Sequence, residues 1–221
     1  MNNRQGHNER KRGQGVTDKS PYEPPIEIYK ATPENYYQFF NKRIQGQKVR
    51  KNAVMGFECV LTFSPKALKK EDLREWADQS IKWASKTFGV KNIFSIYIHT
   101  SEETPHIHIL TVPIDEKGKL NANGIIKGPS HLRELQDEYA NCVHFLGLER
   151  GKSKKITKAE HKKSQQWHKE NADNQEQLNA YRKTFGISQQ WTQELKNKFN
   201  ANINAEKGSE NAFDLADEIL R

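Results

Sequence analysis

The chain has 221 residues, a net charge of +8, two cysteines and a hydrophobic content of only 34%. That leaves room for one compact domain and a solvated extension, and the basic balance favours a polyanionic partner such as nucleic acid. No apolar run approaches membrane-spanning length and the N-terminus has no apolar signal core, which argues against insertion or export and for the cytoplasm.

Residues 1–25 hold almost nothing to bury and read as a basic arm. Residues 33–50 predict a helix, with Tyr36, Phe39, Phe40 and Ile44 at helical spacing. A basic connection at Lys48, Arg50 and Lys51 follows. Residues 53–64 read as a buried strand with Phe57, Cys59, Leu61 and Phe63 on one face and Gly56, Glu58, Val60 and Thr62 on the other. Pro65 ends it. Residues 71–88 predict an amphipathic helix striped by Leu73, Trp76, Ala77, Ile81, Ala84 and Phe88, with acids at its start and Gly89 to close it.

Residues 92–99 predict a second strand and 106–114 a third, joined by a short loop. After a turn at 115–119, Pro129-Ser130 starts a predicted helix with Leu132, Leu135, Tyr139, Val143 and Leu146 on one side, Ser130 as N-cap and Gly147 as stop. Beyond Gly151 the composition changes: seven lysines and one acid lie between Gly151 and Lys169, and the rest is rich in Asn, Gln, Glu and Lys. Helices are expected at about 175–185, 189–199 and 210–220, exposed rather than packed as a second core. The expected division is residues 1–150 as one domain and 151–221 as a basic, mostly helical extension. Cys59 and Cys142 sit in apolar segments far apart and read as core residues, not a disulfide framework or a CxxC zinc site.

The stretch with the most chemistry is 99–108, His-Thr-Ser-Glu-Glu-Thr-Pro-His-Ile-His, which holds three of the eight histidines. Side chains two apart on a strand share a face, so His106 and His108 project together while Ile107 faces the core. If the two strands form a hairpin, His99 comes beside His106. Three neutral imidazoles on one rim suit a divalent transition metal with positions left open. The plainer alternative is a polar sheet face that carries histidines, and structural zinc is disfavoured because no cysteine accompanies the cluster. Glu102 and Glu103 also read as solvated loop charges. Glu58 interrupts an apolar strand, and a buried carboxylate there needs a partner such as a metal-bound water or a metal-ligating histidine.

His106-Ile107-His108 is the His-hydrophobic-His pattern of the HUH endonucleases. The strings HTSEETPHIHILTVP (99–113), GKLNANGI (118–125), HLRELQDEY (131–139) and GLERG (147–151) resemble the MobV group of plasmid relaxases, also called Mob/Pre plasmid recombination enzymes. The resemblance covers about residues 48–168. It implies an α+β fold, an HUH-type central antiparallel sheet flanked by helices, here followed by the basic helical C-terminal extension. It also implies a plasmid mobilisation relaxase that nicks single-stranded DNA at an origin of transfer, stays attached to the 5′ phosphate and religates it, with Mn²⁺ or Mg²⁺ as cofactor. Plasmid DNA with a flanking hairpin, the coupling and transfer machinery, and a homodimer through the extension are the implied partners.

By position, His99, His106 and His108 are similar to the family's metal ligands, and Glu58 and Glu102 to acidic positions of its active site. His7-Asn8-Glu9-Arg10 resembles the motif whose histidine attacks the scissile phosphate, which makes His7 the implied nucleophile. Tyr22, Tyr29, Tyr36 and Tyr37 are the alternatives. Arg4, Arg10, Lys11 and Arg12, and in the extension Lys152, Lys154 and Lys155, are expected to contact DNA. Tyr97, on the face of His99, is expected to stack a base or to pack. Two departures stand out. Ser101 replaces an aspartate usual in the motif, and only six residues precede His7 where relatives place a strand. The second departure supports another expectation, a non-catalytic DNA-binding accessory mobilisation protein. A hydrolytic nuclease that releases its product is a third.

Overall fold

The structure is a computed structural model that describes residues 25–31, 35–64, 67–69, 72–100, 104–158 and 189–219, with the backbone alone at 154, 189 and 207–219. Its centre is a four-stranded antiparallel sheet in the order β1-β3-β4-β2, built from β1 (Ile26–Lys30), β2 (Phe57–Thr62), β3 (Ile93–His99) and β4 (His106–Thr111). Helices α1 (Tyr36–Arg43), α2 (Leu73–Phe88), α3 (Ala122–Ile125), α4 (Pro129–Val143), α5 (Lys154–Thr157) and α6 (Gln189–Ile219) complete the described elements.

The two central strands are the most apolar, as a strand covered on both faces should be. Every residue of β3 is buried, and so is all of β4 except the partly buried His106. One face of the sheet carries Ile96, Ile98, Ile107 and Ile109 against Trp76, Ala77, Ile81 and Ala84 of α2, with α4 and α6 contributing Val143, Trp191, Leu195 and Phe199. Each such side chain contributes about 1.5–3 kcal/mol on leaving water. Helix α2 follows the expected stripe and stops at Gly89, whose φ of +79° suits a residue without a Cβ. Trp76 donates from its indole to the Tyr139 hydroxyl at 2.9 Å, tying α2 to α4, and burial pushes the Tyr139 phenol up to about 12.

The opposite face is divided. At one end α1 covers Phe94 and Leu110 with Tyr36, Phe39 and Phe40, joined by Val112 and Ile114. An irregularity between Ile93 and Ser95 breaks the alternation of β3, so that Ile93 joins the layer of Ile96 and Ile98 while Phe94 joins the layer under α1. Asn35 caps α1 through a reciprocal pair with Gln38. The Tyr36 hydroxyl is shared between the carbonyls of Met55 and Thr111, at 2.9 and 3.2 Å. Gly56 is required beside it, because a Cβ there would lie 1.8 Å from the Tyr36 oxygen. The other end of this face carries the histidines.

Three expectations need correcting. The sequence pattern predicts no strand where β1 lies; its five residues, IEIYK, follow a proline pair, and the run is too short for its alternation to stand out. Helix α4 begins at Pro129 with Gly128 as cap, so Ser130 lies inside it. Proline at the first helical position needs no amide hydrogen bond. The C-terminal region is not wholly an exposed appendage. One helix runs from Gln189 to Ile219, and Trp191, Leu195, Phe199 and Ile203 are buried in the main core. Phe199 packs on Tyr29 of β1 with ring centroids 4.7 Å apart. The spacing of four residues puts these side chains on one helical stripe, and that spacing is the signal that scattered composition hid. The residues expected as a helix at 175–185 lie outside the described residues.

Candidate metal centre

β3 and β4 are antiparallel and in register at their open end, where His99 pairs with His106 and Tyr97 with His108. On the other side of β4, Thr62 pairs with His106 and Val60 with His108. Paired residues point to the same face. One face therefore holds all three imidazoles, with ring centroids 5.1 Å apart for His99–His106, 4.5 Å for His99–His108 and 4.8 Å for His106–His108. One nitrogen from each lies within 4.8 Å of the others. Small ring rotations bring that span to the roughly 4 Å or less that a shared ion with metal–nitrogen distances near 2 Å requires.

The tautomers fit a metal as well. Nδ1 of His106 lies 2.8 Å from the carbonyl oxygen of Thr104, which can only accept, so Nδ1 carries the proton and Nε2 the lone pair. Nδ1 of His108 lies 2.8 Å from Oε1 of Glu58, both side chains less than a tenth exposed. A carboxylate accepting from one imidazole nitrogen raises the basicity of the other, the usual arrangement behind metal-ligating histidines. Glu58 is thus held against a histidine of the triad and orients it. Its charge, after burial, also helps push the neighbouring Cys59 thiol up to about 12, which keeps that side chain a protonated packing residue. Cys59 and Cys142 are both free thiols.

A family model described as plasmid recombination enzyme matches residues 1–170. The chain belongs to that family. Among curated relatives, a 65 kDa protein of Zymomonas mobilis is 38% identical over 124 residues, covering 54% of this chain and 21% of the relative. Plasmid recombination enzyme type 1 of Staphylococcus aureus is 28% identical over 137 residues, covering 60% of this chain and 34% of the relative. The first of these matches thus take in between about a fifth and two fifths of the relatives' length. A MobM relaxase domain of the MOBV type, solved with Mn and plasmid pMV158 oriT DNA, shares the fold with a TM-score of 0.58 at 23% identity, over 74% of this chain and 89% of that one. A second structure of that domain with a 23-nucleotide DNA gives 0.58 at 25% identity, over 76% and 89%. The α+β sheet with flanking helices is the MOBV relaxase fold, as the sequence resemblance implied.

The structure brings together four of the anticipated site residues: His99, His106, His108 and Glu58. Glu102 lies outside the described residues, as do His7, Arg4, Arg10, Lys11 and Arg12. Lys152 and Lys155 are exposed on and before α5, where Lys154 also stands. Of the tyrosines, Tyr36 is fully buried, burial pushes its phenol up, and it is committed to α1 packing. Tyr29 packs against Phe199, Tyr37 is 40% exposed, and Tyr22 lies outside the described residues. Tyr97 is 3% exposed and gives its hydroxyl to Glu27 at 2.8 Å, so it packs and does not stack a base. Sequence reasoning misses the Thr104 carbonyl, because a backbone acceptor leaves no mark in the side-chain pattern.

Proposed function

We propose that this chain is the nicking part of a plasmid mobilisation relaxase, acting on a single strand at an origin of transfer by metal-assisted transesterification. The observation that carries the reading is the registered triad, with His106 and His108 each turned by an acceptor so that a lone pair faces the cluster. The MobM domains that share the fold were solved with Mn and oriT DNA, which supports both the cofactor class and the substrate class. A divalent ion such as Mn²⁺ or Mg²⁺ held by the three imidazoles would orient the scissile phosphate and offset the charge that develops on its oxygens.

The chain's own residues do the rest. Glu58 fixes the ring of His108, and the Thr104 carbonyl fixes that of His106. His7 attacks phosphorus through a ring nitrogen as the bond to the 3′ oxygen breaks. The departing 3′ oxygen takes up a proton to become a hydroxyl, and the 5′ phosphate is left on the histidine. The reverse attack by that hydroxyl restores the strand, so the cycle needs no ATP and can join strands in recombination. Glu102 accepts or orients a proton beside the nucleophile. The basic arm (Arg4, Arg10, Lys11, Arg12) and Lys152, Lys154 and Lys155 hold phosphates on either side of the break.

The test incubates the protein and Mn²⁺ with origin oligonucleotides labelled on the 5′ or the 3′ side of the nick and resolves them on denaturing gels. A protein-linked 5′ phosphate, lost in His7→Ala while DNA binding persists, is the expected result. Free product would make the chain a hydrolytic nuclease, and no cleavage an accessory DNA-binding protein. An adduct that survives His7→Ala would move the nucleophile to a tyrosine.

A further inference from the structure

The face that holds the triad has two flanks with different chemistry. On the β1 side, Glu27 pairs with Tyr97, two residues from His99 on the same face, and accepts the Tyr97 hydroxyl at 2.8 Å. Glu27 is exposed, so a carboxylate stands on that flank. The cation of β1, Lys30, pairs with Ser95, further from the triad. On the β2 side no acid is exposed among the described strand residues, because Glu58 is turned in against His108. What faces solvent there is Val60, 48% exposed and directly opposite His108, and Thr62, opposite His106.

Beyond Thr62 the same flank leads to cations. A cleft of about 190 Å³ runs from Thr62 and Phe63 to Glu149, Arg150 and Gly151, where the two charges offset each other, and the exposed Lys152 follows directly. Arg150 is held in place by Asp137 at 2.7 Å and by the Gly151 carbonyl at 2.9 Å. A polyanion laid on the triad thus meets a carboxylate in one direction. In the other it meets an apolar patch, a hydroxyl-bearing residue and then a stretch of mixed charge that ends on Lys152. A single exposed valine is ordinary on a protein surface; its place, one strand from two triad histidines on an otherwise polar face, is what gives it a use.

We propose that single-stranded DNA leaves the triad across β2, over Val60 and Thr62 towards Arg150 and Lys152, and that Val60 is the positioning residue on which the base next to the reacting phosphate packs. This rests on the nicking reading for the place of that phosphate, but its test needs binding only. Opposite residues on neighbouring strands have Cβ atoms about 5 Å apart, which puts Val60 within one nucleotide of anything bound to His108. Apolar side chains hold bases without regard to sequence, so Val60 would set register more than specificity.

The test measures fluorescence anisotropy of a labelled oligothymidylate with the full chain and Mn²⁺ at low salt, beside Mn²⁺ affinity for each variant. Val60→Glu is expected to weaken oligonucleotide binding about tenfold and Glu27→Gln to tighten it about twofold. Val60→Glu should not weaken Mn²⁺ binding, so the lost oligonucleotide affinity is not lost metal. Val60→Trp, which keeps an apolar surface, is expected to bind at least as tightly as the parent and to show fluorescence quenching by the oligonucleotide beyond that of the parent chain. Wild-type affinity in Val60→Glu, or no added quenching in Val60→Trp, overturns the proposed path, as does weaker binding in Glu27→Gln. Oligothymidylate binding together with no covalent adduct on origin oligonucleotides would instead defeat the nicking reading while leaving the path tested. A parent chain that does not bind the oligonucleotide would defeat both.

Discussion

The two ends of one sheet face are made from the same two strands and do opposite things. At the Phe94–Leu110 end, α1 lays Tyr36, Phe39 and Phe40 over the face, and the layer is as apolar as a domain interior. At the His99–His106 end, only a few residues along, the same strands present three imidazoles, and the neighbouring β2 adds a carboxylate and a half-exposed valine. The sealed end contributes most of the stabilisation. The open end gives some up, because burying Glu58 and three histidines is favourable only when each polar group is satisfied. The division lets a site that binds poorly to itself be held rigidly by its neighbour.

If that division is real, variants at the two ends should separate function from stability. The largest effect belongs to the open end. His106→Ala, or removal of divalent metal by chelation, is expected to lower adduct formation by about a thousandfold or more in the gel assay, with little change in the urea midpoint. Next is the sealed end. Phe40→Ala should cost about 3–5 kcal/mol in urea unfolding, while Mn²⁺ affinity of the remaining folded protein stays near that of the parent. A large loss of affinity there would mean that the two ends are not independent.

Glu58→Gln sharpens the comparison from the other side. It keeps the shape of the acceptor but removes its charge, and is expected to reduce Mn²⁺ affinity by about 10–100-fold in calorimetric titration, with milder effects on folding. The smallest effect lies in the turn behind the sealed end. Asp115 accepts from the Asn121 side chain and from the amides of Lys119 and Lys117, and these bonds, the Asn121 one first, hold its carboxyl below the usual 3.8. A lowered folded value means the bonds add stability above pH 3.8 that is lost as pH falls through the folded value. Asp115→Asn should therefore flatten the acid limb of the stability profile slightly and leave DNA nicking at neutral pH unchanged.

The open end is more legible in the sequence than the frame around it. His106 and His108 at a spacing of two, His99 seven residues upstream and an acid inside an apolar strand define a strand-borne cluster by spacing and residue type alone, and the fold places all four together. The frame is less legible, for physical reasons. β1 draws its stability from pairing with β3 and from Phe199, neither of which is local. Helix α6 hides its buried stripe among Asn, Gln and Lys, and Gly208 within it argues against one continuous helix on propensity alone. Side chains in contact across about a hundred and seventy residues, such as Tyr29 and Phe199, leave no periodic signal near either one.

That long-range contact has a consequence for how the protein is made. A chain leaving the ribosome presents its N-terminal strands first, but the part of the core against Tyr29 and Val90 is closed only when Trp191, Leu195, Phe199 and Ile203 arrive. Until then a partly built sheet, with an edge strand and an apolar layer uncovered, is exposed to premature association. Synthesis of residues 189–203 is in this sense a quality check: a message cut short after the histidine cluster would encode the metal ligands without the segment that seals the sheet carrying them.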